Sequence, residues 1–362
     1  MIKFLQFFGR APAIAAIAVL LLAGCHRNQS VNGRGESNPT SPVRLGTSPY
    51  PDTGLPVMTE RLGLYKKNGV NVSLKVLQWG EVMPALASGS VDVVIQNMNS
   101  FDEVYANLKS KDVDLVFYRP LFVFKGGGLM VRGNSKLMTF AQMLKQYPNR
   151  QQALKQTIKQ LRGKTIITTQ GTDHEQMVLA ALKLAGLQPN TDVKIKYAEP
   201  DDAVAAFVGG EGDGCTGGLV QRLAVQKRGG YVLFEMDDVS PPVINGFITT
   251  RKYADTHRDD LDRLSKSWFQ TVAYMDADPQ GRSKPFLDFL AGQGSARFTP
   301  EEYVNVWRQG DVFPKTEDAS RAMFENAASK YYWKNSWNSI GQFLVATKKV
   351  SVAPPASAYL LQ

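Results

Sequence analysis

The stretch Leu161–Leu187, LRGKTIITTQGTDHEQMVLAALKLAGL, admits few local structures. Lys164–Thr169 is a run of β-branched residues with no charge after Lys164, as a short buried strand requires, and Gly171 stops it. Thr172 or Asp173 can cap a following helix, because either side-chain oxygen can accept a free first-turn N–H. That helix is expected to run to Leu184, with Gly186 at its end. The resulting strand, glycine turn and helix start leave unpaired N–H donors and a positive dipole end pointing out of the turn, which attracts anions. An ordinary β-loop-α unit with no ligand fits the same residues, so the rest of the chain must decide.

Similar units precede it. Val43–Thr47 reads as a strand, Leu55–Asn68 as a helix stopped by Gly69, and Val70, Val72, Leu74 and Val76 alternate as in a strand. Glu81–Ser88 is a short helix, Val91–Ile95 a buried strand, Phe101–Lys109 a helix and Leu115–Tyr118 another strand. Strands alternating with helices imply an α/β fold in which mostly parallel sheets are flanked by helices. Ligands bind such sheets beyond the carboxyl ends of the strands. Ser48, Tyr50, Trp79, Asn97, Asn99 and Arg119 fall there, and Thr172 and His174 occupy the helix start described above. Tyr50 and Trp79 are candidate stacking walls or edge packing. Arg119 is a candidate bidentate partner for an acid group or a structural ion pair.

The first residues read differently. Lys3 and Arg10 form a positive head, Ala11–Leu22 is apolar, and Leu22-Ala23-Gly24-Cys25 closes the segment. The apolar run is shorter than the roughly 20 residues of a spanning helix. Residues 1–24 are expected to be a secretory signal resembling those of bacterial lipoproteins, with Cys25 the lipidated residue. Residues 25–42, rich in Asn, Ser, Gly and Pro, are expected to be a flexible tether.

Two phrases carry a second resemblance. Gly63–Val72, GLYKKNGVNV, and Ala85–Val94, ALASGSVDVV, resemble periplasmic substrate-binding proteins of ABC importers for nitrate, sulfonate and taurine, with their pyrimidine-precursor-binding relatives. The resemblance continues through Leu161–Leu187 and covers most of Val43–Thr250. It implies a type II periplasmic binding protein fold with two lobes joined by two crossovers, near Phe122–Met130 and at Val243–Thr249. Lobe one is then 43–125 with 251–362, and lobe two is 126–250. It implies a cleft site that also takes in Gly217 and Asn245, hinge closure over a small solute, and ABC permease subunits as partners. Lys136–Arg162 is a basic insertion relative to that pattern.

Composition narrows the function. The chain has 2 Cys, so with Cys25 lipidated Cys215 stands alone and no disulfide framework is possible. With 3 His, one of them His26 in the tether, a His-rich metal site is not expected. No G-x-S-x-G elbow, P-loop or H-E-x-x-H is present, so neither catalysis nor a cofactor is expected. The formal charge is +9, and Lys3 and Arg10 account for two of it in the signal segment, leaving +7. In an exported protein that favours anionic partners or a membrane surface over nucleic acid. The expectation is therefore a monomeric, lipid-anchored binding protein outside the cytoplasmic membrane, taking a small sulfonate- or nitrate-like anion. Two alternatives stand beside it. One is a pyrimidine-precursor binder or a pyrimidine-processing enzyme of the same fold, for which Cys215 would be the only free thiol. The other is a sensor that binds without transporting.

Overall fold

The chain leaves one sheet along Leu115–Phe124 and re-enters it along Val243–Thr250, and a second sheet is built in between. The computed structural model describes residues 41–294 and 297–359. The expected signal segment, Cys25 and the tether as far as Thr40 lie outside the described residues. Among those described, no helix is long and apolar enough to cross a membrane.

The strands are β1 (Val43–Thr47), β2 (Val72–Val76), β3 (Val93–Asn97), β4 (Leu115–Phe124), β5 (Gly128–Val131), β6 (Thr165–Thr168), β7 (Lys194–Tyr197), β8 (Gly214–Gly217), β9 (Tyr231–Glu235), β10 (Val243–Thr250) and β11 (Asp311–Val312). The first sheet has the order β11-β4-β10-β3-β1-β2 and the second β7-β6-β8-β5-β9. Both sheets are mixed rather than mostly parallel. β3, β1 and β2 run parallel, as do β7, β6 and β8. β10 lies antiparallel to both β3 and β4. The reason is topological: a chain that exits a lobe at one end must re-enter from that end, so the outgoing and returning strands oppose each other. Val243–Thr249, expected as a crossover, is thus a central strand of the first sheet, and the connecting segments are 125–127 and 236–242. The second sheet accordingly ends before Val243, not at Thr250.

Local differences have physical causes. The expected helix over Leu55–Asn68 is two pieces, Pro56–Arg61 and Leu64–Lys67, because Gly63 adopts φ 65° between them. β4 continues past Tyr118 despite Pro120, which cannot donate to a ladder. Register shifts in β10 after Asn245 and after Phe247 absorb the irregularity, and Gly246 faces Pro120 between them. The basic insertion forms two helices, Phe140–Gln146 and Arg150–Lys159. Their apolar faces, including Phe140, Leu154 and Ile158, cover one side of the second sheet.

Side chains alternate across both sheets, as the two-residue period of a strand demands. Tyr118 and Phe122 join Trp268 on one face of the first sheet, while Phe117 and Val123 join Phe101 and Trp337 on the other. Trp268, on the helix Arg258–Ala277, stacks on Phe122 with ring centroids 5.9 Å apart. In the second sheet Leu129 and Ile166 face the insertion, and Met130, Ile167 and Cys215 face the opposite helices.

Gly246 tests the β4–β10 seam. A Cβ there would meet the Arg119 carbonyl at 2.3 Å and the Phe117 ring at 2.5 Å. We expect Gly246→Ala to cost about 1–3 kcal/mol, the usual range for overpacking a core. Thermal denaturation should show a melting point several degrees lower, and an unchanged one would contradict this packing.

Candidate functional site

The loops after β1, β2 and β3 face those after β6 and β8 across a cleft, and the side chains meet directly. The Asn97 amide donates to Asp173 Oδ1 at 3.0 Å and the Asn99 amide donates to Gln176 Oε1 at 2.6 Å. Ser100 Oγ donates to the Gly171 carbonyl at 3.2 Å. At the rim, the Gly80 N–H donates to Glu199 Oε2 at 3.3 Å. Lys349 Nζ, from the segment after the helix Trp333–Ala346, donates to Glu175 Oε1 at 2.7 Å, and Lys227 pairs with Glu302 at 2.5 Å. These contacts close the cleft around a cavity with about 650 Å³ of atom-free space, counting the part open to solvent.

Local sequence explains how each loop is held. Thr172 caps the helix Asp173–Ala185, with its Oγ1 accepting from the Glu175 N–H and donating to the Thr169 carbonyl. Gly171 has φ 68°, which permits the turn, and Gly186 ends the helix at φ 71°. Asn97 ends β3 and caps the helix Met98–Lys109 by accepting from the Ser100 N–H, so one side chain both starts a helix and reaches the other lobe. Gly217 sits where an added Cβ would come within 2.4 Å of Gln221 Cβ, which explains the glycine without any ligand.

Tyr50, Trp79, Asn97, Thr172, His174 and Asn245 line the cavity. Tyr50 and Trp79 meet edge to face with centroids 6.1 Å apart, and His174 meets Phe124 in the same way at 6.0 Å. Ser48, Asn99, Arg119 and Gly217 do not line it. Ser48 is buried beneath the loop and Asn99 is committed to the contact between lobes. Arg119 belongs elsewhere. Its side chain, 9% exposed, pairs with Asp262 at 3.0 Å and with Glu317. Those carboxylates lie on the helices Arg258–Ala277 and Glu317–Phe324, so the arginine ties helices to β4 and is not free for an acid ligand.

Three lining aspartates change the chemistry. Asp52, Asp173 and Asp311 all face the cavity, and no Lys or Arg lines it. Burial pushes the Asp52 carboxyl up to about 6, the Thr53 N–H offsets part of this, and Asp173 adds to it. Burial likewise holds Asp311 well above the usual carboxylate range, with Asp52 raising it further. The helix start expected to attract an anion is also partly occupied, since Glu175 Oε2 accepts the Gly171 N–H. Asp52 lies two residues beyond Tyr50, in the loop that follows β1. Asp311 had no local signal, because β11 is a two-residue strand placed at the cleft by its pairing with Phe124 and Val123.

Cys215 is fully buried, and burial pushes its thiol up to about 12, with Arg132 opposing the shift. Such a thiol is inert as a nucleophile at neutral pH. Among the described residues no group of three or more His, Cys, Asp or Glu side chains could hold a metal ion.

A model of the NMT1-like family matches residues 36–285. The chain belongs to the NMT1-like family. A probable histidine-binding protein from Campylobacter jejuni is 27% identical over 203 residues, which cover 53% of this chain and 67% of that protein. Among solved structures, the alkanesulfonate-binding protein SsuA from Xanthomonas axonopodis pv. citri, bound to MOPS, is 17% identical with a TM-score of 0.62. That match covers 88% of this chain and 97% of the other. The periplasmic nitrate-binding protein NrtA from Synechocystis PCC 6803 is 14% identical with a TM-score of 0.58, covering 88% and 91% of the two chains. The family and these neighbours bear out the resemblance drawn from Gly63–Val72 and Ala85–Val94, and the fold is that of periplasmic binding proteins.

The Arg119 pairing yields a prediction. Arg119→Ala should lower stability by about 1–3 kcal/mol, between the values for exposed and buried pairs, because its partners are half exposed and can be resolvated. Solute affinity should stay at the wild-type value in calorimetry. A large loss of affinity with no loss of stability would return Arg119 to the site.

Proposed function

We propose that this protein is the solute-capturing component of an ABC importer, anchored by lipid at Cys25 outside the cytoplasmic membrane. The observation that carries the reading is the cavity shared between lobes. Its walls come from both sheets, and hydrogen bonds from both lobes close around it. A solute touching both walls stabilises the closed arrangement by contacts that the open one lacks. No bond is made or broken, and the energy of transport belongs to permease and ATPase subunits. The similar proteins named above, each described as a binding protein, support this class.

The lining argues against the sulfonate- or nitrate-like anion expected from sequence. An anion would sit among three aspartates with no cationic side chain to offset them. An enzyme reading has little to stand on, since the one candidate thiol is buried among Met130, Ile167 and Phe207. A small solute with a ring fits the aromatic wall of Tyr50, Trp79 and Phe124.

The test is closure. A thermal-shift screen of amino acids, aminopyrimidines, alkanesulfonates and nitrate should yield a stabilising solute. Small-angle scattering should then give a smaller radius of gyration with that solute than without it. Trp79→Ala should weaken its binding by at least about tenfold, the loss of one aromatic wall. A solute that binds wild type without compaction, and equally well in Trp79→Ala, would place binding outside this cavity.

A further inference from the structure

We propose that the interlobe cavity is built for a cation: a planar ring carrying a protonated N–H donor group such as an amidinium. The inference rests on the solute-capture reading and names its ligand class. The first observation is the charge of the lining. Asp52 follows β1, Asp311 forms β11 and Asp173 begins the helix of the second lobe, so three separate elements aim carboxylates at one space. Asp52 lies close enough to Asp311 to disfavour its ionisation, and Asp173 does the same to Asp52. Like charges converging in a partly desolvated site destabilise the empty protein, and a bound cation relieves that repulsion.

The second observation is independent of charge. Asn245 is 2% exposed and lines the same cavity, and its Oδ1 has no hydrogen-bond partner. Asp311 Oδ1 is also buried without a partner. Asn245 Oδ1 is an acceptor in every protonation state and Asp311 Oδ1 is one when the carboxyl is ionised, and a buried acceptor without a donor costs free energy. The ligand that satisfies them must bring N–H or O–H groups. His174, 9% exposed with Nε2 unpartnered, can accept or donate according to its tautomer and so does not oppose a donor-rich ligand. Three aromatic side chains in the lining, Tyr50, Trp79 and Phe124, favour a flat cation over a compact hydrated one, since a desolvated cation is attracted to an aromatic ring.

Asn97 and Gln221 supply the remaining side-chain amides of the lining, and both are engaged. Asn97 bonds Asp173, while Gln221 accepts from the Gly218 N–H and donates to Asp201. Neither brings a positive charge that would turn the balance toward an anion.

The test uses three probes of one shape: benzamidine, benzamide and benzenesulfonate. Calorimetry on the mature protein should rank benzamidine first, benzamide weaker, and benzenesulfonate without measurable binding. Asp311→Asn and Asp52→Asn should each weaken benzamidine by at least about tenfold, as expected for a lost charge-assisted bond, while benzamide changes by about threefold or less. Both variants should keep or raise the melting point of the empty protein, because a carboxyl whose ionisation burial and neighbouring carboxyls oppose is replaced by a neutral amide. That separates a binding role from a folding role. If benzenesulfonate binds as tightly as benzamidine, the cation is overturned. Should that binding also vanish in Trp79→Ala, solute capture in this cavity still stands. If no probe binds, or if benzamidine binds both aspartate variants like wild type, the proposal fails, and the scattering experiment above decides solute capture separately.

Discussion

The antiparallel pairing of β4 with β10 is the constraint on which the other features depend. It carries the chain out of the first sheet and back in at the same end. Both connections between lobes must then lie side by side, at 125–127 and in the segment before Val243. The carboxyl ends of β1, β3, β6 and β8 consequently face one cleft. The seam is demanding: Gly246 leaves no room for a Cβ, Pro120 is accommodated by register shifts, and Phe117 and Phe122 alternate into two different cores. The buried Arg119 then fastens two helices of the C-terminal region to the outgoing strand.

Much of the fold was legible because its elements announce themselves locally. The strand, glycine turn and capped helix of Leu161–Leu187 appear close to the expected bounds, with Thr172 as the cap and Gly186 as the stop. What could not be read was direction and partnership. A run such as Val243–Thr250 looks the same whether it links two lobes or lies in the middle of a sheet. Pro120 hid the second half of β4, since a proline normally ends a strand and only the register shifts opposite it keep the ladder going.

The candidate site divided along the same line. Tyr50, Trp79, Asn97, Thr172 and His174 lie at strand ends or a helix start, positions that sequence patterning locates. Arg119 has a charge suited to an anion, but its partners Asp262 and Glu317 come from about 140 and 200 residues further along the chain. Asp311 enters the cavity through a two-residue strand whose place is set wholly by pairing with β4. Which charged side chains line the cavity is therefore a tertiary property, visible only once β11 and the loop after β1 are placed together.

Lys349 gives the region after the last long helix a role in lobe geometry. Its ammonium reaches the carboxylate of Glu175, a side chain only 1% exposed that also accepts from Tyr197 and from the Gly171 N–H. Val350 beside it is anchored in the core of the first sheet. The pair thus ties the far end of the chain to the turn that opens the helix of the second lobe. For anyone labelling or immobilising this protein, that end is not neutral ground. A fluorophore, affinity handle or surface linkage placed near Lys349 would report on, and disturb, the distance between lobes.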